Sequence, residues 1–179
     1  MTVSTRTFSH ALLVAIVSVA TSALHAEEPP AWDGTWRFVP TQSTDLSPWR
    51  ACTLTITVGD ERVTIARQLN AGRRRFEESF TFATDGTETV APSRTWADNR
   101  HIGAYMGDDR QRRIRAALLD SGRVLRVSTD LTLSTQQGER AVNILSNYQV
   151  STDGRRLTVV ELRSTRARPI TSRFERVEE

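Results

Sequence analysis

From Thr53 onward the chain runs in short stretches of alternating apolar and polar residues, and turn dipeptides separate them. Leu54, Ile56 and Val58 share one parity with threonines between them. Gly59-Asp60 turns the chain, and Val63, Ile65 and Leu69 continue the apolar face. Asn70-Ala71-Gly72 leads into Phe76, Phe80 and Phe82, again of one parity, and Asp85-Gly86 is the next turn. The second half repeats the scheme. Leu125, Val127, Thr129, Leu131 and Leu133 alternate, and Gln137-Gly138 turns into Val142, Ile144, Ser146, Tyr148 and Val150. Asp153-Gly154 turns into Leu157 and Val159, and Ile170, Ser172, Phe174 and Arg176 form the last run. Every second side chain of a strand shares a face, so this pattern encodes one hairpin after another. The expected class is all-β, an antiparallel meander of roughly eight to ten strands. Such a sheet has unpaired edges unless it closes, and a closed barrel is the common solution.

The stretch from Trp96 to Leu119 reads two ways. Asp109 is placed to cap a helix running through Ile114, Ala117 and Leu118 toward Gly122. Equally, Ile114, Ala116 and Leu118 alternate with arginines and alanine as a strand would, and Ser121-Gly122 would turn it into the next. The surrounding hairpins favour the strand. Residues 98–109, with Gly103 and Gly107, read as a long loop or a broken edge.

The N-terminal residues set the compartment. Arg6 and His10 lie in a short polar head, an uncharged run spans Ala11 to Leu24, and Ala26 precedes Glu27-Glu28-Pro29-Pro30. This is the layout of a secretory signal peptide, residues 1–26, with Ala23 as the alternative cleavage position. The run is shorter than the roughly 20 residues a membrane span needs. The expected product is a periplasmic or secreted protein with no membrane span, and residues 27–179 form one domain of ordinary size. A monomer is expected. Cys52, the single cysteine, excludes an intramolecular disulfide and a thiolate metal cluster, and reads as a small buried hydrophobe at a strand start.

All 24 basic residues are arginine, against 21 acidic ones. Clusters occur at Arg73-Arg74-Arg75, at Arg110, Arg112, Arg113 and Arg115, and at Arg163, Arg166 and Arg168. Interleaved acids and the lack of an aromatic stacking motif argue against nucleic acid as a partner. The clusters read as solvated loop and strand faces, which offer at most weak contact to anionic envelope polymers. No metal site is expected, since His101 is the one histidine after residue 26 and zinc needs three or four ligands. No cofactor motif and no Gly-x-Ser-x-Gly elbow is present, so no catalytic residue is assigned.

Trp32-Asp33-Gly34-Thr35-Trp36-Arg37-Phe38 resembles the Gly-x-Trp opening of lipocalin-like barrels, on Gly34 and Trp36. Pro40-Thr41-Gln42-Ser43 and Asp153-Gly154-Arg155-Arg156-Leu157-Thr158-Val159 are similar to the opening and closing motifs of secreted bacterial domains of that kind. The resemblance implies a barrel closed at one end by Trp36, with an arginine near the end of the last strand packed over it. Arg176 is the matching position and Arg173 the alternative. It also implies a small, largely apolar ligand in the interior.

By parity Phe80, Phe82 and Tyr148 would supply walls, with Trp96 beside them, and Arg67 or Glu78 would give a polar contact. Two other readings stand beside the binder. An enzyme would use Glu78, Glu161 or His101 as acid or base; an inward carboxylate has a raised pKa unless an arginine such as Arg67 pairs with it. An interaction module would have a filled interior. The void inside the barrel separates the three.

Overall fold

The computed structural model describes residues 32–44, 48–97 and 104–178. The signal-peptide reading and His101 lie outside the described residues. Eleven strands form: β1 Gly34–Phe38, β2 Ala51–Val58, β3 Arg62–Ala71, β4 Arg74–Ala83, β5 Thr89–Pro92, β6 Tyr105–Met106, β7 Gln111–Leu119, β8 Val124–Thr135, β9 Gly138–Val150, β10 Arg156–Arg163 and β11 Ile170–Arg176. Every pairing is antiparallel, and the described residues contain no α-helix. The fold is thus an all-β meander curled into a nearly closed barrel. Residues 111–119 take the strand alternative, not the helix.

The order around the barrel is β4-β3-β2-β1-β11-β10-β9-β8-β7-β5, with the short β6 paired to β8. The first and last strands pair with each other, Trp36 opposite Arg176 and Phe38 opposite Phe174. That long-range pairing joins the two halves and moves the remaining seam to the middle of the sequence, between β4 and β5. The chain crosses this gap through residues 84–88, where the Gly86 N–H donates to the Ala116 carbonyl.

Parity set the inner face. Leu54, Ile56, Val63, Phe82, Leu125, Val127, Leu157, Val159 and Phe174 are buried in one cluster, together with Cys52. Leu131, Val142 and Ile144 are also buried, but with Met106 and Leu133 in a second cluster. The interior is therefore not one continuous apolar core. Among the arginine clusters, two members depart from the solvated reading: Arg112 is 7% exposed and the Arg163 side chain is 7% exposed. Arg112 shares parity with Ile114 and Ala116, and Arg163 shares it with Leu157 and Val159, so both project inward.

One end of the barrel is built around Trp36, which has no exposed surface. The Arg176 guanidinium lies 4.2 Å from the Trp36 ring centroid and donates to the carbonyls of Asp33 and Gly154. Gly34 has φ +141°, and a Cβ there would run into the Arg176 side chain. The positive φ calls for glycine, and any side chain there would push the Arg176 guanidinium off Trp36. Trp32 adds a second plug, its indole N–H donating to the Gly122 carbonyl at 2.8 Å. Arg173, the alternative partner, is exposed and faces outward. Truncating a buried aromatic costs about 3–5 kcal/mol, and Trp36→Ala is expected to lose that much in urea unfolding. A loss under about 1 kcal/mol, the size of a surface change, would show that Trp36 does not hold this end together.

Candidate functional site

The strands carry more than apolar residues to the interior. Arg67 of β3 and Glu78 of β4 are cross-strand partners, and both have the inward parity of their strands. Arg67 Nε donates to Glu78 Oε1 at 2.9 Å, and its Nη2 bonds the same oxygen. The other oxygen, Glu78 Oε2, meets Arg112 Nη2 of β7 at 3.2 Å. Arg112 also donates from Nε to Ser93 Oγ at 2.9 Å and stacks on Phe80, 4.8 Å from the ring centroid. Across the barrel, Arg163 Nη2 lies 3.3 Å from Glu161 Oε2 on β10, and its guanidinium sits 5.7 Å from the Trp96 centroid.

Arg67, Glu78, Phe80, Trp96, Arg112 and Glu161 line one cavity of about 90 Å³, while Ser93 and Arg163 are not part of that lining. Its lining includes all six positions selected from the sequence as ligand contacts: Arg67, Glu78, Phe80, Phe82, Trp96 and Tyr148. Glu161 lines it as well, with Ser146 and Arg112. Phe80 and Tyr148 therefore border a void. Gly34, Trp36 and Arg176 stand apart from it, at the plugged end. The cavity has room for about three waters at ~30 Å³ each, and is well below the roughly 300–1,000 Å³ of pockets for drug-sized ligands. Its walls are mixed: Ile114, Val127 and Ile144 are apolar, and the charged belt lies against them.

Three guanidinium groups thus face two carboxylates in the barrel. Burying ions costs solvation that pairing only partly restores, and an apolar replacement of the same volume is often as stable or more so. This belt is a poor device for stability alone. Its chemistry is suited to holding an anionic or hydrogen-bonding group, with the aromatic rings alongside for an apolar one. Glu78 has both oxygens engaged with arginine, and Glu161 faces Arg163. Among the described residues no group of histidine, cysteine and carboxylate side chains is arranged to hold a metal.

Sequence reading missed Arg112, Ser93 and Arg163. Parity was applied to the apolar residues of β7 and β10 but not to the arginines that alternate with them, and that signal was present. Ser93 carried none, because it follows a four-residue strand whose partner lies about twenty positions away.

The Tyr148 phenol is held well above its ordinary value, first by burial and then by the nearby Glu161 charge. The unfolded chain loses this proton near pH 10, whereas the folded chain keeps it. The contribution of Tyr148 to stability is therefore complete below about pH 10 and declines as the pH rises beyond it. Tyr148→Phe is expected to remove this part of the alkaline loss, which urea unfolding at about pH 9 and pH 11 measures for both proteins. Equal losses in the two would mean that Tyr148 is as solvated as a free phenol.

No family model matches the sequence, and no curated protein sequence matches it. Solved structures do. A "REP1-NXSQ fatty acid transporter" superposes with a TM-score of 0.50 at 12% identity, over 82% of this chain and 96% of that one. The fatty-acid-binding protein of Manduca sexta gives 0.49 at 9% identity, over 81% and 99%. Secretory abundant heat soluble protein 4 of Ramazzottius varieornatus gives 0.49 at 10% identity, over 82% and 95%. At this identity the transporter likeness concerns the fold alone.

Proposed function

We propose that this chain is an exported, non-catalytic binding protein that holds one small amphiphilic molecule inside its barrel. The apolar body of the ligand rests on Phe80, Phe82, Trp96 and Tyr148, and its anionic end meets Arg67 and Arg112 in the place that Glu78 otherwise holds. One observation carries the reading. Residues from well-separated strands, chosen for their parity, line a single void, and the charges beside it exceed what stability asks for. Arg67 and Arg112 line the void beside Glu78 and Glu161, and their guanidinium groups are the donors the site offers to an anionic end. The volume of the cavity limits the ligand to a few atoms in the interior, with any longer body displacing side chains or leaving through the wall. A neighbour of the same fold described as a fatty acid transporter is in keeping with an amphiphile of this kind. The engaged oxygens of Glu78 argue against a general acid or base there.

A straight-chain carboxylate such as octanoate or decanoate tests the reading against the alcohol of the same length. Hydrogen bonds to a charged group contribute about 1.5–3 kcal/mol, so calorimetry is expected to find the carboxylate at least about tenfold tighter. Equal affinity would remove the anionic end from the proposal. No binding of either would remove the ligand.

A second, weaker surface lies outside the barrel. A groove of about 420 Å³ runs past Arg123, Arg156 and Arg173, with Asp120 and Glu175 beside them. It is the best described location for loose contact with an anionic envelope polymer.

Export rests on residues 1–26, and cleavage near Ala23 or Ala26 leaves a single domain. N-terminal sequencing of the protein from its own host is expected to start at Leu24 or Glu27. Intact Met1 recovered from the cytoplasm would overturn it.

A further inference from the structure

A binding cavity inside a barrel needs an entrance, and among the described residues tryptophans stand at each end of this barrel. At one end Trp36 lies under Arg176, and Trp32 is fixed to the Gly122 carbonyl. At the other, Trp49 donates its indole N–H to the Ala97 carbonyl at 2.8 Å, and its ring lies 6.2 Å from that of Phe76. The barrel wall is mostly continuous backbone ladder, and lateral passage through a ladder would require several hydrogen bonds to break together.

The seam is the exception. β4 and β5 stand at opposite ends of the strand order, and among the described residues no backbone–backbone hydrogen bond joins β4 to β5 or β7; the Ala83 N–H reaches only the Thr89 side chain, at 3.5 Å. Residues 76–80 of β4, with Pro92 of β5 and the following residues 93–95, instead flank a groove of about 180 Å³. Glu78 and Phe80 line both this groove and the interior cavity, so their side chains are the partition between the two. Arg112 reaches across from β7 to touch both of them and is tied on its own side to Ser93.

We infer that the ligand enters and leaves sideways through the β4–β5 seam, and that the Arg112–Glu78 ion pair is its latch. This rests on the binding role proposed above and adds the route. When Arg112 swings off Glu78 and Phe80, groove and cavity become one channel, and no backbone–backbone hydrogen bond is lost. Water or an incoming anion takes the place of Glu78 at the guanidinium while the seam is open. The joined volume also accommodates a ligand body too long for the interior void alone.

The test uses decanoate, read by stopped-flow through the change in tryptophan fluorescence, to which Trp96 in the cavity wall contributes. Arg94→Cys places a thiol in the groove at an exposed position, and Arg50→Cys places one beside Trp49 at its end of the barrel. Cys52 is buried, so a bulky maleimide marks only the new thiol. The adduct on Arg94→Cys is expected to slow association and dissociation alike, each by at least about tenfold, with Kd within about threefold of the parent. The adduct on Arg50→Cys is expected to leave both rates within about twofold. Glu78→Gln, which keeps the shape and removes the charge, is expected to speed dissociation by about tenfold. Slowing by the Arg50→Cys adduct and not by the Arg94→Cys adduct would place the entrance at the end and overturn the seam, with the binding role intact. Absence of decanoate binding to the parent protein would overturn both.

Discussion

Glu78 is bonded to Arg67 within the sheet and to Arg112 across the one junction that lacks a ladder. The rest of the barrel is arranged around that carboxylate. Pairing β1 with β11 brings the chain termini of the barrel together by backbone hydrogen bonds, and closure of the barrel is then left to side chains and to the lone bridge of residues 85–86 to β7. A lone glutamate buried there would be unstable as an anion, and either arginine alone would be as unstable as a cation. Removing one partner of such a cluster costs about 3–5 kcal/mol, because the charge left behind has neither water nor partner. The same carboxylate therefore holds the seam, orients the two arginines and separates the cavity from the outside.

The cost of this belt is offset elsewhere. Two apolar clusters lie on either side of it, one anchored on Trp36, Ile56 and Leu157, the other on Leu131, Val142 and Ile144. The tryptophans at the two ends do more than fill space. Trp32 and Trp49 each bond a carbonyl from a distant part of the chain, so each fixes one end of the barrel to a loop that strand pairing does not reach. With both ends fixed and ten strands laddered, the softest element of the wall is the seam.

Much of this was legible in the residue pattern. Alternation and turn dipeptides specify hairpins locally, because a one-residue slip would turn Leu54, Ile56 and Val63 out to water. The same parity brought Arg67, Glu78, Phe80 and Tyr148 to one face, and Trp36 with Gly34 announced a packed end. What escaped was of two kinds. Arg112 and Arg163 were hidden by their numbers: in a chain with 24 arginines, each looks like a surface residue until its parity is read against its neighbours. The seam was hidden by distance, since its position follows from β1 meeting β11, and local alternation says nothing about which strands meet last. The void itself depends on how Arg67, Arg112 and Tyr148 pack against one another, which no periodicity describes.

Barrels of one architecture tolerate very different sequences, as the 12% identity with a structure of the same fold shows. The ladder and the turns ask only for alternation, and the inner positions are then free to carry whatever the contents require. An interior under selection for stability alone would drift toward leucine, valine and isoleucine, which fill space without desolvating charge. This one retains three arginines and two glutamates in register on strands β3, β4, β7 and β10, each within reach of a partner on another strand or on its own. Because the partners lie on both sides of the seam, anything that draws Arg112 toward itself also loosens the wall. On the binding role and route proposed above, recognition of an anion and access to the interior are coupled through one guanidinium, and selection on either would act on both.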